Sequence, residues 1–166
     1  MIKKIITIKG ERCNGCGACA AACPHNAICL QEKEKVALAP THAGATSRLA
    51  QWPCQIKLAP TNAPYLEDAH LLIAADCTAY AYTNFHRDFI RNHITLIGCP
   101  KLDEGDYAEK LTDIIKSNSI KSVKLVRMEV GCCAVLENAV KRALQAALKH
   151  IPFQVITVST DGRIIE

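Results

Sequence analysis

The sequence predicts an α/β protein: a small N-terminal module followed by a three-layer α/β domain with a mainly parallel sheet. Three observations predict it. First, "LLIAAD" (71–76), "ITLIG" (94–98), "VKLVRMEV" (123–130) and "FQVITVS" (153–159) have the length and apolar content of buried strands. Second, helical patterns lie between them at 82–91, 107–117 and 134–149, and such alternation implies right-handed crossovers. Third, four cysteines crowd between residues 13 and 23, far more densely than anywhere in the strand–helix region.

Each part has its own signature. Residues 1–39 read as a module with a short alternating strand at 2–8, the cysteine run, and a hairpin in which "AICL" and "VALA" flank the polar "QEKEK". Residues 40–66 are rich in proline and weakly periodic, and read as an extended linker packing on the next domain, with Trp52 as its anchor. Residues 67–166 form the α/β domain. Within 107–117, Leu111, Ile114 and Ile115 share one helix face.

Composition narrows the function. The hydrophobic fraction of 49% and charged fraction of 22% suit a soluble globular protein. A net charge of +4 without a Lys/Arg stripe, and only 5% aromatic residues, argue against nucleic-acid binding. The apolar run in "MIKKIITIKG" is too short for an export signal, and "LLIAA" is too short to span a bilayer. The expectation is a cytoplasmic protein without a membrane partner. Ten cysteines in that setting point to metal binding or redox chemistry rather than disulfides.

In "CNGCGACAAACPHNA", Cys13, Cys16, Cys19 and Cys23, followed by Pro24, have the spacing of a bacterial ferredoxin run for a 4Fe–4S cluster. A cube of four irons needs thiolates converging from several sides, and gaps of two residues curl the chain so that successive sulfurs face inward. Gly15 and Gly17 permit tight turns there. A structural zinc site would instead space two knuckles far apart. In two-cluster ferredoxins the fourth cysteine of a run serves the other cluster, so three arrangements stay open. Cys23 closes its own cluster, Cys54 does so from a distance, or a homodimer exchanges Cys23. Cys29 reads as a buried core residue.

A second set is dispersed. Cys77 follows the first strand of the α/β domain, Cys99 the second, and Cys132 and Cys133 the third. The carboxyl ends of parallel strands lie on one rim, so these four thiols are expected to meet as a metal site, taking zinc or a second iron–sulfur cluster. Cys54 or His86 could supply a missing bond, although His86, in "NFHRDF", reads first as a helix-surface or capping residue. Acidic Asp103, Glu104 and Asp106 read as helix caps.

Together, "CNGCGACAAACP", "QWPCQIKLAPTNAPY", "LLIAADCTAYAY", "IGCPKLD" and "RMEVGCC" resemble a group of ferredoxin-type iron–sulfur proteins of anaerobic microbes, often encoded beside the hybrid-cluster protein. The resemblance covers almost the whole chain and implies an iron–sulfur electron carrier with an added α/β domain. Two features depart from the family pattern. The second ferredoxin cysteine run is missing from 30–53, and Ala134 and Val135 replace the glycines that commonly follow the paired cysteines. The sequence thus reads as an electron-transfer protein working with a redox partner protein. The rival readings are a redox enzyme with a catalytic metal on the rim, and a redox or gas sensor.

Overall fold

The computed structural model describes residues 46–165, which belong to one compact unit. The expected strand at 2–8, the hairpin, Cys29 and the four-cysteine run lie outside the described residues. Four parallel strands, β1 (His70–Ala75), β2 (Ile94–Gly98), β3 (Ser122–Met128) and β4 (Phe153–Val158), pair in the order β2-β1-β3-β4. A two-residue strand, β5 (Ile164–Ile165), adds antiparallel to β4 and was not expected from the sequence. The predicted α/β class with a mainly parallel sheet is therefore the observed one.

β1 is the interior of the domain. It is bonded on one edge to β2 and on the other to β3, and Leu71, Leu72 and Ile73 have no exposed surface. Its uninterrupted apolar run follows from burial on both faces. α2 (Tyr107–Ser117) and α3 (Cys133–Ala147) make the β2–β3 and β3–β4 crossovers and pack against each other. Right-handed connections put the β1–β2 link on the opposite face.

That link departs from the predicted helix at 82–91. A short helix, α1 (Thr78–Ala81), stops at Tyr82, whose backbone is extended, and a π-helical turn follows at His86–Ile90. Phe85 and Phe89 imitate an α-helical face by their spacing. They are buried with ring centroids 5.2 Å apart, but Thr83 and Asn84 are weak helix formers and the chain breaks before them.

Residues 46–66 cover the outer edge of β2. Gln55 forms a parallel bridge with Ile97, and the Ile97 N–H donates to the Cys54 carbonyl at 2.8 Å. The Gln51 side chain acts as one more rung: its Nε2 donates to the Thr95 carbonyl at 2.5 Å, and its Oε1 accepts from the Thr95 N–H. Trp52, expected as the anchor, is 78% exposed; fully buried Ile56 and nearly buried Ala59 hold the segment instead. Pairing to the sheet edge fixes which side chains turn inward, and the indole turns out.

α2 is closed at both ends. The Asp106 carboxylate caps the start, accepting from the Ala108 N–H at 3.0 Å, as the acidic pattern suggests. Leu111, Ile114 and Ile115 line the buried face as predicted. At the far end, Leu148 in the left-handed region (φ 54°) ends α3. The next residue, Lys149, donates to the carbonyls of Ile115 (2.8 Å), Lys116 (2.9 Å) and Asn118 (2.9 Å). A cation there satisfies orphan carbonyls and the negative end of the helix dipole. Replacing Lys149 by Met is expected to lower urea-unfolding stability by about 1–2 kcal/mol. Lys101→Met, on an exposed loop, should change it by less than about 0.5 kcal/mol.

Candidate functional site

Because β2, β1 and β3 are parallel neighbours, their carboxyl ends share one rim. The chain leaves β1 toward β2 and leaves β3 toward β4, so the two connections diverge between β1 and β3. This topological switch point is where open α/β sheets bind ligands. Cys77 lies just beyond β1, and Cys132 and Cys133 open α3 just beyond β3. Cys77 and Cys132 are exposed and Cys133 is buried. Burial pushes the Cys133 thiol up; a hydrogen bond from the Met128 backbone opposes this, while Cys132 and Cys77 add to it. Cys132 and Cys77 thus lie near enough to influence the Cys133 thiol.

Cys99 follows β2, half-buried, and its carbonyl accepts from the N–H groups of Leu102 (3.1 Å) and Asp103 (2.8 Å). Cys54 is half-buried beside β2. The rim gathers the predicted set without drawing it to one centre. Among the described residues, no group of three or more His, Cys, Asp or Glu side chains is arranged to hold a metal ion, and all five cysteines there are free thiols. His86 is exposed, and its Nδ1 accepts from the Arg48 N–H at 3.2 Å, a backbone-capping role.

Beside Cys99 stands a group that the sequence reading passed over. Asp76, between β1 and Cys77, is half-buried, and its Oδ1 has no hydrogen-bond partner among the described residues. Burial, then the nearby Asp103 carboxylate, pushes its pKa up, and a hydrogen bond with the Gln55 side chain opposes the shift. The Tyr107 hydroxyl donates to Asp103. Burial, that hydrogen bond and the charges of Asp103, Asp76 and Cys99 hold the phenol well above the usual tyrosine range. The arrangement needs Gly98: a Cβ there would stand 2.6 Å from the Tyr107 hydroxyl and 2.8 Å from Cζ. The rim thus combines thiols with one carboxyl, that of Asp76, that resists ionisation. The acid ending "LLIAAD" was the one signal in the sequence that could have found Asp76.

A mainly parallel sheet whose connections diverge between β1 and β3 defines the class of protein, and comparison with known families agrees. A model of a Rossmann-like domain matches residues 63–166, and the chain belongs to that family. A second model, of a 4Fe-4S binding domain, matches residues 5–28, the stretch that holds Cys13, Cys16, Cys19 and Cys23. The protein is an iron–sulfur protein with a 4Fe–4S binding domain ahead of a Rossmann-like one. It is similar to an uncharacterized protein of Archaeoglobus fulgidus, 29% identical over 114 residues, which are 69% of this chain and 81% of that protein. No solved structure matches.

Asp76 gives a pH test. Its folded pKa lies above its unfolded value of about 4, so between the two the folded state binds more protons and ionisation favours unfolding. The stability of Asp76→Asn relative to the parent should therefore rise as pH increases from about 4 through the folded pKa, then level off. Parallel urea titrations from acid to neutral pH measure the difference; a flat difference would contradict the shift.

Proposed function

We propose that this chain is an electron-transfer protein in which Cys13, Cys16, Cys19 and Cys23 hold one 4Fe–4S cluster. The observation that carries the reading is the coincidence of the 4Fe-4S binding match over residues 5–28 with four thiols at ferredoxin spacing. The donor set fits: four soft thiolates, with Gly15 and Gly17 allowing close backbone approach. When bound, a 4Fe–4S cluster supplies a one-electron couple. The chain's part is to ligate, to donate amide hydrogen bonds to sulfur and to limit water, which together tune a potential within roughly −700 to +450 mV.

The electron's destination in this reading is a partner redox protein, in the cytoplasm of an anaerobic cell, the setting that the family resemblance implies. Among the described residues no helix is long and apolar enough to cross a membrane. The Rossmann-like domain offers its rim as a second station. Gathering Cys77, Cys132 and Cys133 at the switch point favours a redox or metal role there, with Cys99 recruited from the neighbouring strand end.

Metal analysis of anaerobically purified protein tests both parts. Four-thiolate ligation by the N-terminal run predicts about four irons per chain and a brown chromophore that bleaches reversibly with dithionite. Cys16→Ser should remove most of that iron. A colourless, iron-free, folded protein would overturn the proposal. If Cys77→Ser and Cys99→Ser leave iron and zinc content unchanged, the rim holds no second metal.

A further inference from the structure

The opposite end of the sheet carries a different chemistry. A cleft of about 410 Å³ opens at the amino ends of β1 and β2, with Arg48, Arg91, His70, His93, Tyr65 and Asp68 on its walls. This volume lies within the range of small-ligand sites. Neither guanidinium has a carboxylate partner among the described residues. Asp68 is engaged by Lys121 at 3.5 Å. Lys124 adds positive charge beside His93. The lining therefore carries uncompensated positive charge, on a protein whose formal net charge is only +4.

The walls are fixed by the fold. The Arg48 backbone is tied to His86 on the π-helical turn. The Arg91 N–H donates to the His86 carbonyl at 3.1 Å, and Asn92 and Asp68 turn the chain in the left-handed region just ahead of β2 and β1. His70 starts β1 opposite Ser122 of β3, and its Nδ1 lies 2.7 Å from the Ser122 hydroxyl. The His93 Nδ1 lies 2.9 Å from the Arg91 carbonyl oxygen. A carbonyl only accepts, so this nitrogen carries the proton. Burial lowers the ring's pKa, with Lys124 and His70 adding to it against the Arg91 hydrogen bond, so the neutral ring is favoured and the cleft's charge comes from the guanidiniums. The two imidazoles stand edge to face with centroids 6.1 Å apart. The Tyr65 hydroxyl, on the same wall, is buried without a partner among the described residues. That oxygen is sealed from water behind the wall, so the exposed guanidiniums of Arg48 and Arg91 are the donors a molecule in the cleft can reach.

We infer that this cleft binds a small organic oxyanion, a phosphate- or carboxylate-bearing molecule whose charged group is met by Arg48 and Arg91 and whose body lies against Ala50, Ala69 and Ile94. Guanidinium forks match both oxyanions in a bidentate manner. The site is separate from the cysteine rim and does not depend on the iron–sulfur reading.

The test is calorimetric titration of the full-length, anaerobically purified protein with pyrophosphate and, in a second arm, citrate, at fixed ionic strength. Saturable binding at one site per chain is expected with at least one of them, and the preferred probe distinguishes phosphate from carboxylate. Arg48→Gln and Arg91→Gln should each weaken that binding at least about tenfold. Arg142→Gln, whose guanidinium pairs with Asp106 at 2.6 Å, should leave it unchanged. The His93 ring resonances should shift as the parent saturates, with the midpoint moved to at least about tenfold higher probe concentration in Arg91→Gln. Absence of saturable binding with both probes, or equal loss in Arg142→Gln, would overturn the inference. Circular dichroism of each variant separates lost binding from lost fold.

Discussion

Burial of β1 between β2 and β3 is the constraint on which the rest of the domain depends. Leu71, Leu72 and Ile73 are sealed on both faces and both edges, and their transfer from water supplies about 1.5–3 kcal/mol each. No other placement of so apolar a strand hides it as well. Once β1 is central, the ends of three strands become neighbours, and residues distant in sequence are brought onto two rims. The carboxyl rim receives Cys77, Cys99, Cys132 and Cys133; the amino rim receives His70 and His93. One packing decision thus sets the place of the thiols and of the basic cleft.

The second constraint is steric. Gly98 closes β2 beneath the Tyr107 ring, and the phenol meets Asp103 only because no side chain intervenes. That contact holds Asp103 and the buried phenol within electrostatic reach of Asp76 and Cys99, in surroundings that disfavour the charged forms of Asp76 and Tyr107. The contact also keeps the end of β2 out of water, and Gly98 is buried. Residues 46–66 serve the same end by covering the open edge of β2, through backbone bonds at Cys54 and Ile56 and the side-chain rung of Gln51. An uncovered edge would invite pairing with another chain.

Much of this was legible in the sequence, for identifiable reasons. The four main strands were readable because each is an apolar run bounded by breakers, and parallel order follows from the helices between them. The shared rim of Cys77, Cys99, Cys132 and Cys133 needed only that topology. The link at 82–91 was misread because Phe85 and Phe89 carry α-helical spacing while the backbone takes a wider turn. Trp52 was misread because hydrophobicity does not reveal which side of an edge segment faces inward. Asp76, Tyr107 and the pairing of Arg48 with Arg91 across one cleft depend on tertiary approach, for which a single sequence has no periodic signal. Whether the rim sulfurs close on one ion is likewise a matter of side-chain convergence, invisible to spacing.

Thiol cross-linking tests most directly whether β1 brings the strand ends together. A short bismaleimide, applied to the anaerobic full-length protein and followed by peptide mapping, should join Cys77 to Cys132, both of which are exposed. The account predicts that this intrachain link dominates at high dilution. Recovery of Cys77 and Cys132 as separate single adducts, with no peptide joining them, would mean that β1 and β3 do not end side by side.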